Sequence, residues 1–70
     1  MRMLHADSTC IESVGYEPLA RELRVRFNTG RTCVYHGVAR PVYEELLAAG
    51  SLGAYFNRHI RDQYPHERIG

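Results

Sequence analysis

Seventy residues with a formal net charge of +1, 44% apolar and 24% charged, describe one small globular domain, too apolar for a disordered chain. A folded chain of this mass exposes roughly 4500 Å² with a radius of gyration of about 11 Å, so a deep cofactor cleft of ~300 Å³ or more would remove much of its core. No apolar run reaches membrane-spanning length and residues 1–7 lack the apolar stretch of a secretory signal, which reads as a cytoplasmic protein with no membrane partner, whose Cys10 and Cys33 stay reduced.

Residues 1–9 are expected to be a flexible N-terminus, and residues 10–69 a single domain. A first strand is predicted over 10–16, stopped by the turn pair Glu17-Pro18. Leu23, Val25 and Phe27 then alternate with Arg24 and Arg26, the period-2 pattern of a half-buried strand. Asn28-Thr29-Gly30 reads as a three-residue hairpin loop with Gly30 left-handed. Closing that loop on residues 27 and 31 puts Val25 opposite Cys33, Leu23 opposite Tyr35, Arg24 opposite Val34 and Arg26 opposite Thr32. One face then carries Leu23, Val25, Phe27, Cys33 and Tyr35; the other carries Arg24, Arg26, Thr32, Val34 and His36. A one-residue slip would exchange the two faces.

Gly37 ends the third strand, and Pro41 suits the first turn of a helix with Val42, Tyr43, Leu46 and Leu47 on its apolar stripe. Gly50 and Ser51 separate it from a second helix, Gly50 as a C′ residue and Ser51 as an N-cap. In that helix Leu52, Tyr55, Phe56, His59 and Ile60 follow helical spacing, Asn57, Arg58, Arg61 and Asp62 form the wet face, and Tyr64-Pro65 ends it. The predicted fold is α+β: a three-stranded antiparallel β-meander followed by two short helices packed on one face.

Several strings place the chain beside a known family: Val14-Gly15-Tyr16, Leu23-x-Val25-x-Phe27, Gly37-Val38, Val42-Tyr43-x-x-Leu46-Leu47 and Ser51-x-Gly53-x-Tyr55-Phe56-Asn57-x-x-Ile60-Arg61. Together they resemble the KTSC domain, named for the C-terminus of some lysyl-tRNA synthetases and found alone as short bacterial proteins. The match runs from about Ser8 to Ile69, and the segment from Ser51 to Arg61 is its most specific part. The resemblance implies an RNA partner of the tRNA kind, by attachment to a tRNA-handling enzyme. The family tends to carry Tyr-x-Tyr in its third strand where this chain has Cys33-Val34-Tyr35, so a two-base stacking platform would lack a ring.

All nine basic residues are arginine, and five of them fall between residues 21 and 40 against Glu22 alone, a local +4 that an anionic partner can feel. Arg24 and Arg26 on a solvent-facing strand, with His36 beside them, suit phosphate contact, against the plainer reading of a solvated face paired to Glu12. Ser51 and Gly53 leave N–H groups open at the positive end of the second helix, with Asn57, Arg58 and Arg61 further along, against the plainer reading of a capping serine and an Arg58–Asp62 pair. Tyr16 and Tyr64 are the tyrosines expected at the surface and Tyr35 the one expected in the core.

His5, His36, His59, His66, Cys10 and Cys33 show no zinc-type spacing, and Cys33 and His36 leave opposite faces of one strand. There is no nucleophile elbow, no phosphate loop and no convergent carboxylate pair. No metal, cofactor or catalytic residue is therefore expected. The favoured function is a non-enzymatic module that binds RNA through the arginine face or the second helix. The alternative is a protein-interaction or self-association module, as a homodimer or with another protein, through an exposed edge strand.

Overall fold

The computed structural model describes residues 10–70 together with the backbone of Leu4–His5. Its centre is the hairpin that alternation predicts. Strands β3 (Glu22–Phe27) and β4 (Thr32–His36) pair antiparallel, with Val25 opposite Cys33, Leu23 opposite Tyr35, Arg24 opposite Val34 and Arg26 opposite Thr32. The Phe27 N–H donates to the Arg31 carbonyl at 2.8 Å, and Gly30 takes φ +91°, a conformation that a β carbon disfavours.

On the other side of β3 lies β2 (Ile11–Glu17), joined to it by a loop over 18–21 in which Arg21 takes φ 53°. The register shifts between Ile11 and Ser13. Glu12 is thus a bulge residue, and Ile11 and Val14, three apart, both reach the core. The backbone of β1 (Leu4–His5) pairs with β2, Leu4 opposite Val14 and His5 opposite Ser13. The expected flexible N-terminus otherwise lies outside the described residues.

After the left-handed Gly37 (φ +76°), helix α1 (Arg40–Ala48) begins with Pro41 in its first turn. Gly50 follows the extended C-cap Ala49 without adopting positive φ. Helix α2 (Leu52–His59) is capped by Ser51, whose Oγ accepts the Ala54 N–H at 3.3 Å. It ends at His59, earlier than the proline predicts: the Ile60 and Arg61 N–H groups both donate to the Phe56 carbonyl, at 3.0 and 2.9 Å. That turn drives Ile60 into the core and leaves Arg61 beyond the helix.

The helices lie on one face of the sheet. There Leu46, Phe56 and Ile60 pack with Val14, Leu23, Val25, Tyr35 and Val38, all of them buried. Phe56 is the keystone, edge-on to Tyr35 at 5.3 Å and to Phe27 at 5.8 Å. Burying such a ring contributes about 1.5–3 kcal/mol.

The strand count is corrected upward. A further strand, β5 (His66–Arg68), pairs antiparallel with β4, giving a five-stranded sheet in the order β1-β2-β3-β4-β5. β5 makes β4 an interior strand, which is why Val34 is only 4% exposed although it stands on the face away from the helices. Among the described residues the outermost strands are the two-residue β1, which pairs only with Ser13 and Val14 of β2, and the three-residue β5. The accessible surface is 4649 Å² and the radius of gyration 10.6 Å. Among the described residues no helix is long and apolar enough to cross a membrane.

Candidate functional site

The arginines divide between two faces. On the face away from the helices stand Arg24, Arg26 and His36, brought together as the hairpin register requires. They are not a positive patch. Arg26 Nε lies 3.9 Å from Glu12 Oε2, and His36 sits between two carboxylates, Nδ1 3.5 Å from Glu22 and Nε2 3.2 Å from Glu67. The Arg24 Nε is buried with no hydrogen-bond partner. Glu12, Glu22 and Glu67 therefore offset the charge that the arginine stripe brings. The bulge at Glu12 and the unforeseen β5 supply two of these three acids.

Tyr16 is not free to stack a base. Its ring stacks on Tyr43 at 4.9 Å and its hydroxyl donates to the Val38 carbonyl at 2.6 Å. Tyr64, also expected at the surface, packs against the core edge. The start of α2 is occupied by its own cap, since Ser51 is engaged with Ala54. Arg58 and Arg61 do not share a face. Arg58 lines a small depression with Ser51, Tyr55 and His59, whereas Arg61, beyond the helix end, turns to the opposite side of α2. Gly53 is half-buried within the first turn.

Arg61 and Asn57 instead line an open groove of about 680 Å³ between the β3–β4 hairpin, β5 and the end of α2. This is an open surface groove, not the deep cleft for which so small a chain has no core to spare. The space is not cut from the core but lies above it, floored by the buried Cys33, Tyr35 and Phe56 and walled by exposed residues. Arg31, in the hairpin loop, and Arg61 both border it. Neither has a carboxylate within salt-bridge distance among the described residues. Asp62, His66 and Phe27 are also part of the wall.

The polar chemistry of the groove floor is set by Tyr35. Burial chiefly, then the Cys33 thiol and Asp62, raise the Tyr35 phenol above its usual pKa, and Arg61 pulls the other way. The phenol is thus a neutral hydrogen-bonding group. Cys10 is exposed and Cys33 buried, both as thiols. Among the described residues no cluster of three or more His, Cys, Asp or Glu side chains is arranged to hold a metal ion.

Sequence reasoning found Asn57 and Arg61 through the resemblance but missed Arg31, Asp62 and His66 as wall residues. Their convergence depends on β5 folding back beside β4 and on α2 stopping at His59. Neither event leaves an apolar periodicity.

A meander with two helices on one face and a groove between the β3–β4 hairpin and the end of α2 defines a small α+β domain. The KTSC domain family model matches residues 7–64. A protein of Tsukamurella paurometabola is 36% identical over 62 residues, covering 89% of this chain and 92% of that one. The lysine–tRNA ligase of Nostoc is 33% identical over 67 residues, 96% of this chain but only 12% of that enzyme. In three dimensions the chain superposes on the crystal structure of a KTSC domain protein from Yersinia pestis with a TM-score of 0.95 and 29% identity, covering 99% and 97% of the two chains. The chain belongs to the KTSC domain family.

Proposed function

We propose that this protein is a small cytoplasmic binding module, without catalytic activity, whose groove between the β3–β4 hairpin and the end of α2 engages RNA. The observation that carries this reading is the pair Arg31 and Arg61, which border the groove with no carboxylate of a described residue in salt-bridge range. Guanidinium groups without internal partners are the ones a phosphate can take at least desolvation cost. Asn57 and Tyr35 add hydrogen-bonding groups beside them. The occurrence of a similar segment in a lysine–tRNA ligase supports a tRNA-like RNA as the partner.

Two phosphate contacts give a modest affinity that falls with salt, with a slope of about −1.4 in log affinity against log salt. An NMR titration with a tRNA at about 50 and about 200 mM salt tests this. Shifts at Asn57, Arg31 and Arg61 that shrink at the higher salt are expected. No shift at low salt, or shifts confined to Arg24, Arg26 and His36, would overturn the groove as the site.

A further inference from the structure

Resting on that reading, we infer that the groove selects unpaired RNA and seats one nucleotide at a time. Its volume, about 680 Å³, lies in the range of about 300–1,000 Å³ that holds a single small ligand, and a nucleotide is of that size. Domains that read double-stranded RNA do so across roughly 16 base pairs, from contacts to successive grooves. Such a footprint needs cations spread along a span longer than this molecule, whose extents are 28 × 25 × 23 Å. Of the described arginines only Arg31 and Arg61 border the groove. Arg26 is paired with Glu12, Arg40 with Glu44 and Arg68 Nε with the Gly70 carbonyl. Arg24 is half-buried on the other face, and Arg58 lines a separate depression.

The lining instead matches an unstacked base. Phe27, half-buried, and His66, exposed, both border the groove, and the His66 ring is backed by Tyr35 at 4.9 Å, so it is held in place as a platform. Bases released from a helix stack on such rings, and bases inside a duplex cannot reach them. Asn57 carries an amide donor and acceptor for a base edge. Asp62 repels a phosphate but accepts from an exocyclic amine or a 2′-hydroxyl. The phosphate therefore lies toward Arg31 and Arg61, and the base or sugar toward Asp62.

The test compares an unstructured RNA of roughly ten nucleotides with the same strand annealed to its complement. Both are titrated into the full chain at low salt, with Arg61→Gln as the groove variant. Arg61 is exposed, so the substitution leaves the core intact. The single strand is expected to bind at least tenfold more tightly than the duplex, to shift His66 and Asn57, and to lose affinity in Arg61→Gln. Duplex binding as tight as the strand, with the groove signals still shifting, would overturn the selection while leaving the groove as an RNA site. If neither form shifts the groove, or an acidic peptide binds there more tightly than the strand, the RNA reading falls and the selection with it.

Discussion

Tyr35 and His66 stand opposite each other across the β4–β5 ladder with their rings stacked, centroids 4.9 Å apart and planes inclined by 25°. The buried ring belongs to the core and the exposed one to the groove wall, so this contact is where stability and the site meet. Every residue of β5 is exposed, and little apolar burial holds it. Substituting His66→Ala is expected to cost about 0.5–1.5 kcal/mol and to speed amide exchange at Ile69, whose N–H donates to the Thr32 carbonyl at 2.8 Å. Denaturant unfolding and hydrogen exchange read the two effects. Unchanged exchange would mean that β5 does not depend on the ring stack.

Phe56 is 2% exposed and touches the rings of both Phe27 and Tyr35. Phe56→Ala should cost about 3–5 kcal/mol, a large share of the roughly 4–10 kcal/mol that a domain of this length has in total. A melt by circular dichroism lowered by more than about 12 °C is the expected outcome. A cooperative melt within a few degrees of the parent would show that the core lies elsewhere.

Tyr55 ties the two helices together, its hydroxyl donating to Glu45 Oε2 at 2.7 Å. That hydrogen bond first, then burial, pushes its pKa up to about 12, against about 10 in an unfolded chain. A raised folded-state value means that the contribution of Tyr55 to stability is complete below pH 10 and is lost as pH rises from 10 through 12. Ultraviolet titration should show late tyrosinates, of which Tyr55→Phe removes one while Tyr35 and Tyr43, both raised by burial, remain. A Tyr55→Phe profile identical to the parent above pH 10 would contradict the contact.

Gly30 has no atom within 4 Å of where a β carbon would stand, so substitution there meets backbone strain and no clash. Gly30→Ala at φ +91° is expected to destabilise by about 1–2 kcal/mol with the register of the hairpin kept. Thermal melts and the cross-strand contact of Val25 with Cys33 check both parts.

The central hairpin was legible because two independent signals agree: the alternation from Leu23 to Phe27 fixes the faces, and Asn28-Thr29-Gly30 fixes the turn. β5 was not, because His66, Glu67 and Arg68 are polar, and their pairing rests on β4 backbone groups, the Tyr35–His66 ring stack and the His36–Glu67 contact. The bulge at Glu12 was equally silent, being an extra residue with no glycine to mark it. The missing β5 bears on function: it hid Glu67 beside His36 and so made that face look more cationic than it is, whereas Glu12 was already in view as a partner of the arginines. Arg61 could be named from the Ser51-to-Arg61 segment, but its side of α2 could not. A helix running to Pro65 aligns it with Arg58, and a turn at Ile60 separates them.

The most direct test sets Arg61→Gln against Arg26→Gln in binding to one unpaired RNA at low salt. The two side chains carry the same charge on opposite faces, one with no salt bridge among the described residues and one beside Glu12. A charge-assisted contact is worth about 1.5–3 kcal/mol, so Arg61→Gln should weaken binding roughly tenfold or more and lower the salt slope by about 0.7, with Arg26→Gln close to the parent. Equal losses from both variants, or the larger loss from Arg26→Gln, would contradict the account.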